Sequence, residues 1–236
     1  MKIADPTQTT LLNEVKLMLG ELPFDGARVL ELGCGKAEKT RTLAESGRVK
    51  GIVALEVDRI QHARNLEAPA LPNVEFRHGG AEAIPAEDNS FDIVLMFKSL
   101  HHVPMAQMDQ ALREIARVLK PGGLAWISEP VYAGDFNDIL RLFHDEKEVR
   151  EKAFAAVGQA VEQGFLVLDK QYFFNTRSQF DNFEQFDARM IRVTHSDHQL
   201  SPALYEQVRA QFTAHLTPEG ATFLNPQRVD LLRKPS

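Results

Sequence analysis

The sequence predicts an α/β protein, a doubly wound, mostly parallel sheet with helices on both faces. Two observations carry this. Short apolar runs alternate with stretches of helical spacing in a βαβα order through residues 28–128, the pattern of parallel strands joined by crossover helices. The first of these runs ends in two glycines, Gly33 and Gly35, where a strand must turn sharply into a helix.

In chain order, the first strand is Arg28 to Leu32, and a polar helix from about Lys36 to Ser46 follows the glycine turn, stopped by Gly47. The second strand is Gly51 to Glu56. A helix from near Arg59 leads past Pro69 and Pro72 to a third strand around Val74 to Phe76. Phe91 to Phe97 is the fourth strand. Met108, Leu112, Ile115 and Leu119 share one face of the next helix, which ends at Pro121-Gly122-Gly123 because proline and paired glycines cannot prolong it. Leu124 to Ser128 is the fifth strand. The rest has a different character, since 11 of the 15 phenylalanines lie between Phe136 and Phe223 and so call for a second apolar surface. We expect a helix from about Phe136 to Gln163, an extended segment from Leu166 to Phe174, a helix capped by Ser178 with Asp181, a helix opened by Ser201-Pro202, and a final strand from Phe223 to Leu232.

With 236 residues, 44% hydrophobic and 25% charged, the chain sits at the globular average and supports one sizeable core. We expect a single domain over residues 1–236. No uninterrupted apolar run exceeds that of Ile93 to Phe97, far short of the ~20 residues a bilayer needs, and a basic-then-apolar leader is missing. The single cysteine, Cys34, suits a reducing compartment, so the expected location is the cytoplasm. A net charge of −6 disfavours nucleic acid as a partner.

Gly33 and Gly35 let a ligand approach the backbone closely, and Glu56, 23 residues after Gly33 at the end of the second strand, suits a carboxylate that accepts from both ribose hydroxyls. Together they point to an adenosine-containing cofactor. A dinucleotide fingerprint needs a third small residue where Glu38 stands, and a phosphate loop needs Ser or Thr where Ala37 stands. Glu31, two residues before the first glycine, would repel a pyrophosphate and tolerate a sulfonium or ammonium group.

The ordered motifs resemble the class I S-adenosylmethionine-dependent methyltransferases, and within them the type 11 group. Glu31-Leu32-Gly33-Cys34-Gly35-Lys36-Ala37 is similar to that family's glycine motif, with Ala37 in place of its last glycine. Leu55-Glu56-Val57-Asp58 resembles its ribose-binding segment. Gly80-Ala81-Glu82-Ala83-Ile84-Pro85, Asp88-Asn89-Ser90-Phe91-Asp92, Leu100-His101-His102-Val103 and Leu119-Lys120-Pro121-Gly122-Gly123 resemble four further landmarks. The resemblance covers residues 27–130, the expected cofactor core. It leaves 131–236 as a long helix, an aromatic-rich cap over the substrate and a final strand.

The resemblance implies seven strands in the order 3-2-1-4-5-7-6, strand seven antiparallel, and S-adenosylmethionine lying across the ends of strands one and four. Glu31, Gly33 and Gly35 would meet its methionine and ribose portion, and Glu56 the ribose hydroxyls. Val57 would cover the adenine, while Gly80, Ala81 and Glu82 meet its edge, Glu82 standing in for the family's usual aspartate at Gly80. Met96 and Phe97 would offer carbonyls to the methionine ammonium. The implied function is in-line methyl transfer to a small-molecule acceptor. The other functions weighed are a nicotinamide-dependent oxidoreductase, which Glu38 opposes, and a cofactor-binding protein without transfer activity.

For the acceptor, Tyr172 and Phe174 point to one face of an extended segment and are expected to roof a pocket, while Lys98 is in reach of a substrate anion. His101 and His102 are the candidates for a catalytic base. No metal is expected, because neighbours in a regular element face apart, so His101 and His102 do not share a ligand. His195-Ser196-Asp197-His198 offers no third ligand and reads as a polar turn. Cys34 has no base beside it and reads as a small buried residue rather than a nucleophile.

Overall fold

The computed structural model describes residues 1–192 and 198–236. Strands β1 (Arg28–Leu32), β2 (Gly51–Glu56), β3 (Val74–His78), β4 (Phe91–Phe97) and β5 (Leu119–Pro130) pair in parallel, in the order β3-β2-β1-β4-β5. β1, β2 and β4 are buried on both faces, which is why they read as continuous apolar runs instead of alternating ones. β8 (Gly220–Arg233) lies antiparallel beside β5, and β6 (Val167–Phe180) antiparallel beside β8. The two-residue β7 (Leu216–Thr217) only closes a hairpin onto Gly220 and Ala221. Apart from that addition the expected strand order holds, the predicted seventh strand being β8.

Helices cover both faces. α4 (Met108–Val118) and α6 (Lys147–Glu162) pack on one face, burying Leu112, Ile115, Ala153 and Val157 with Leu30, Leu55 and Val94 of the sheet. α1 (Glu14–Glu21), capped by the Asn13 side chain, and α2 (Glu38–Glu45) pack on the other, around Trp126, Phe24 and Phe97. α1 was not foreseen in the sequence. Two glutamates end its eight residues, and the helix owes its place to Met18 in this core and to Trp126 Nε1, which donates to buried Glu14 at 3.3 Å. α3 (Arg59–Glu67), capped by Asp58, follows β2.

β6 and β8 are long enough to overhang the sheet. β8 leaves β5 at Gln227, beside Pro130, yet stays paired with β6 as far as Ala221. Around this overhang α5 (Asp135–Leu140), α7 (Phe183–Phe186) and α8 (Pro202–Thr213) assemble a third core containing Phe180, Phe183, Phe186, Phe212 and Phe223. Its rings meet at centroid separations of 4.9–6.3 Å, several edge to face, the range in which aromatic pairs attract beyond their buried area.

Three expectations are corrected here. The helix expected over Phe136 to Gln163 is two helices, α5 and α6, broken at residues 141–146. Ser178 is no cap: it lies within β6, and Asn182 caps the short helix by accepting from Gln185 N at 2.9 Å. The extended segment runs on from Phe174 to Phe180, because β8 offers it partners all the way. The Ser201 cap and Pro202 stand as read. Among the described residues no helix is long and apolar enough to cross a membrane.

Candidate active site

At the end of β1 the chain enters α2 through three left-handed positions in five residues, Gly33, Gly35 and Ala37, with φ of 68°, 53° and 57°. Gly33 has a second constraint. A Cβ there would lie 2.8 Å from that of Ser99, whose hydroxyl donates to Leu32 O at 2.9 Å, so the segment leaving β4 presses against the turn from behind. Gly35 faces the other way, with no atom within 4 Å of the Cβ it lacks. Its N–H donates to Glu56 Oε2 at 2.7 Å, and its carbonyl accepts from Asn65 Nδ2 at 2.7 Å. The turn is therefore held from below and open above.

Glu56 is buried at the end of β2, where its other oxygen accepts from Asp58 N at 2.9 Å. Val57, next along, is exposed over the same edge. Across it, Glu82 folds its carboxylate into the space that a side chain on Gly80 would fill, beside buried Ala81. Beneath the turn Glu31 is buried and accepts from Thr40 Oγ1 at 2.6 Å. Burial raises its pKa to about 7 against the opposing effects of Thr40 and Lys39. Burial, with Glu31 and Glu56, also raises the Cys34 thiol, which removes the thiolate that a nucleophile would need. Met96 and Phe97 end β4 beside Ile127 and Ser128. The structure thus gathers the predicted cofactor residues along the carboxyl ends of β1, β2, β3 and β4. An open glycine face, a buried strand-end carboxylate and an exposed apolar lid fit an adenosine-containing cofactor.

Beside β4 lies a cavity of about 310 Å³, walled by Lys98 and the histidines that follow it, by Pro130 at the end of β5, and by α5, α6 and the overhang. A turn of 3₁₀ helix, Leu100–His102, carries both histidines. Glu129, buried at the end of β5, accepts from Leu100 N at 3.0 Å and lies 2.5 Å from His101 Nδ1. His101 Nε2 faces Glu146 at 3.6 Å. Glu146 also engages Arg150 at 2.6 Å and His144 at 3.0 Å. Burial works to raise the Glu146 pKa, but His101, Arg150 and His144 outweigh it and hold the group below its ordinary value. His102 is lowered, first by burial and then by His101.

The 3₁₀ turn changes what the two histidines can do. Their ring centroids are 4.1 Å apart, and His101, His102 and Glu146 each offer a ligand atom within 4.8 Å of the others, although adjacent residues were expected to diverge. The bound Arg150 and nearby Lys98 put positive charge beside this trio, which opposes a cation there.

Tyr172 and Phe174 do share a face, but it is the wrong one for a substrate. Tyr172 stacks on Trp126 at 5.5 Å and donates to Glu21 at 2.5 Å, and Phe174 is buried with Trp126 and Phe24. Both belong to the core under α1 because β6 turns that face inward, and neither lines the cavity. Lys98 does line it. His195, Ser196 and Asp197 lie outside the described residues, while His198 stands against Phe143 and His144. Sequence reasoning missed Glu129, Glu146 and Arg150. Glu129 had a legible signal, an acid closing an apolar strand as Glu56 closes β2. Glu146 and Arg150 had none, since only the break between α5 and α6 brings them in.

Residues 29–123 match the family profile described as a methyltransferase domain. An uncharacterized methyltransferase of Mycobacterium tuberculosis is 40% identical over 108 residues, 44% of this chain and 42% of that protein. A demethylmenaquinone methyltransferase of Bacillus mycoides is 39% identical over 102 residues, 42% of each. The matches therefore span under half the length of these relatives. Over nearly the whole chain the fold is shared with the YcgJ protein of Bacillus subtilis, at a TM-score of 0.66 with 20% identity, covering 94% of this chain and 98% of that one. It is shared too with a methyltransferase-titled structure from Bacillus halodurans, at 0.67 with 18% identity, covering 94% and 99%.

Proposed function

We propose, from the match of residues 29–123 to a methyltransferase-domain profile, that the chain transfers a methyl group from S-adenosylmethionine to a small molecule held in the cavity beside β4. The observation that carries this reading is adjacency. The cofactor turn and the cavity meet at one segment, Phe97 to His102, so a ligand on the turn and a ligand in the cavity would face each other across the end of β4. Demethylmenaquinone methyltransferases, which act on a small molecule by name, are among the similar proteins.

When bound, the sulfonium supplies an activated methyl and leaves as a neutral thioether, so the departing group needs no acid. The chain's own work is to bind, align and move one proton. Gly35 and Glu56 present the open backbone and the ribose-binding carboxylate, with Glu82 filling the place of a Gly80 side chain. Buried Glu31 lies where positive charge on the cofactor would favour its ionised form. Holding two reactants in line is worth ~7 to 11 kcal/mol when alignment is good, and apolar side chains from α5 exclude competing water. His101 is the base: Glu129 fixes its Nδ1 side and orients the ring, leaving Nε2 to take a proton from the acceptor with Glu146 beside it.

Calorimetry with S-adenosylhomocysteine should show one site, weakened by ~2 kcal/mol in Glu56→Ala, since ribose hydroxyls lose a charged acceptor. Labelled S-adenosylmethionine with a metabolite extract should then yield a labelled small product. Absence of homocysteine-nucleoside binding at millimolar concentration removes the reading.

A further inference from the structure

We infer that the acceptor is an anion with an apolar body, a small carboxylate whose charge is met by Lys98. This rests on the methyl-transfer reading and deepens it.

The first observation is an unanswered charge. Lys98 is exposed, but into the cavity, and among the described residues no carboxylate lies within ion-pair distance of its ammonium. Burial comes first in lowering its pKa, Lys39 and Arg150 adding to the effect and Glu14 and Glu129 opposing it. Those two acids have other partners, Glu14 with Trp126 and Glu129 with Leu100 and His101. They soften the local field without closing on the lysine.

The second is the charge balance of the wall. Among the described residues, Lys98, Arg150 and Arg189 line the cavity against a single carboxylate, Glu146, which Arg150 and His144 already occupy. Arg189 too has no carboxylate partner among the described residues, its guanidinium lying over the Phe180 ring. In a chain of net charge −6 this is a local inversion of sign. It gives an anion, and no cation, something to gain there.

The third is backbone. Lys98 is held at φ 51°, a left-handed conformation that is strained for a residue with a Cβ. Its N–H donates to Ser128 O at 2.7 Å, so β5 holds the backbone in that conformation.

The fourth is a set of unpartnered polar atoms in a lining that also carries apolar side chains. Arg150 Nε, Asn225 Oδ1 and Gln227 Oε1 are buried without partners, and all three residues line this cavity. Buried polar atoms are rarely left so. Phe136, Leu140, Phe143 and Met190 line the same cavity. A carboxylate on a ring or short chain answers Arg150 Nε, the two amide oxygens accept and would be met by a hydroxyl on the same body, and about 310 Å³ is at the small end of ligand pockets.

The test uses matched probes: benzoate, 4-hydroxybenzoate and phenylacetate against their primary amides. Binding is read by ligand-observed NMR with and without S-adenosylhomocysteine. We expect the carboxylates to bind about tenfold tighter than the amides or better, as a charge-assisted hydrogen bond would give. The preference should vanish in Lys98→Met and persist in Lys98→Arg, with S-adenosylhomocysteine affinity unchanged. Amides binding as well as carboxylates overturns the proposal, as does failure of every carboxylate to bind at millimolar concentration. If Lys98→Met instead weakens S-adenosylhomocysteine and spares the carboxylates, the lysine belongs to the cofactor and the proposal is again overturned. Carboxylate preference without any S-adenosylhomocysteine binding would keep the anion site and remove the methyl-transfer reading.

Discussion

The glycine turn and the histidine cavity meet at the end of β4, yet they are built in opposite ways. The turn is a stretch of neighbouring residues, 31–40, propped by Glu56, Asn65 and Ser99. Its parts are backbone conformations, and the side chains chiefly hold them still. The cavity collects residues 98, 101, 129, 146, 150 and 225–227 from five elements or the segments beside them, and its chemistry lies in side chains. A site made of backbone shape tolerates changes at its rim and fails at its glycines. A site made of converging side chains fails wherever one is removed.

If that contrast is right, the largest effect belongs to the cavity. His101→Asn should lower methyl transfer by about 10²- to 10⁴-fold, the usual worth of a positioned base, while S-adenosylhomocysteine affinity stays within a few-fold. Equal losses in both would show that His101 supports the cofactor turn instead.

Next comes the core under α1. Phe174→Ala should cost ~3 to 5 kcal/mol of stability, as deletion of a buried ring does, and leave the acceptor's KM alone, because Phe174 does not line the cavity. A raised KM in a folded variant would return this residue to the substrate wall.

Gly33→Ala adds a side chain at φ 68° and 2.8 Å from Ser99 Cβ. We expect a loss of about 2 kcal/mol in stability and weaker cofactor binding. The double variant with Ser99→Gly should recover the part due to collision and none of the part due to backbone conformation.

The remaining effect is a slope, seen only across a range of pH. Glu31 has its pKa raised from 4.5 to about 7 in the folded protein. Between those values the native state holds a proton that the unfolded chain has released, so stability falls as pH rises from about 4.5 to 7. Glu31→Gln should flatten this stretch of a denaturation-versus-pH curve, gaining up to ~3 kcal/mol above neutrality relative to the wild type. An unchanged slope would mean that Glu31 titrates normally.

The two sites were unequally legible for the same reason that they differ. Gly33, Gly35 and Glu56 could be read because strand-turn-helix spacing is local: the end of a parallel strand and the start of its crossover helix lie within a few residues. Glu82 could be placed beside Gly80 because only Ala81 separates them. Tyr172 and Phe174 were correctly assigned to one face, since a strand has period two. Which layer that face meets depends on how β6 docks on β8, and the alternation is silent about it.

Composition, periodicity and spacing by themselves determined the alternation of strands and helices through residues 28–128, the glycine turn and the strand-end acid that faces it. They did so because helical and extended periods, and the left-handed preference of glycine, are properties of short segments. Only the tertiary structure decided that Phe136 to Gln163 breaks in two, that a 3₁₀ turn draws His101 and His102 together against Glu129 and Glu146, and that Lys98 lines the cavity with no carboxylate of the described residues in ion-pair distance. These are contacts between residues 28 or more apart along the chain, or the want of one. They exist because packing three cores at once leaves each side chain little choice of neighbour, a condition that no single stretch of sequence contains.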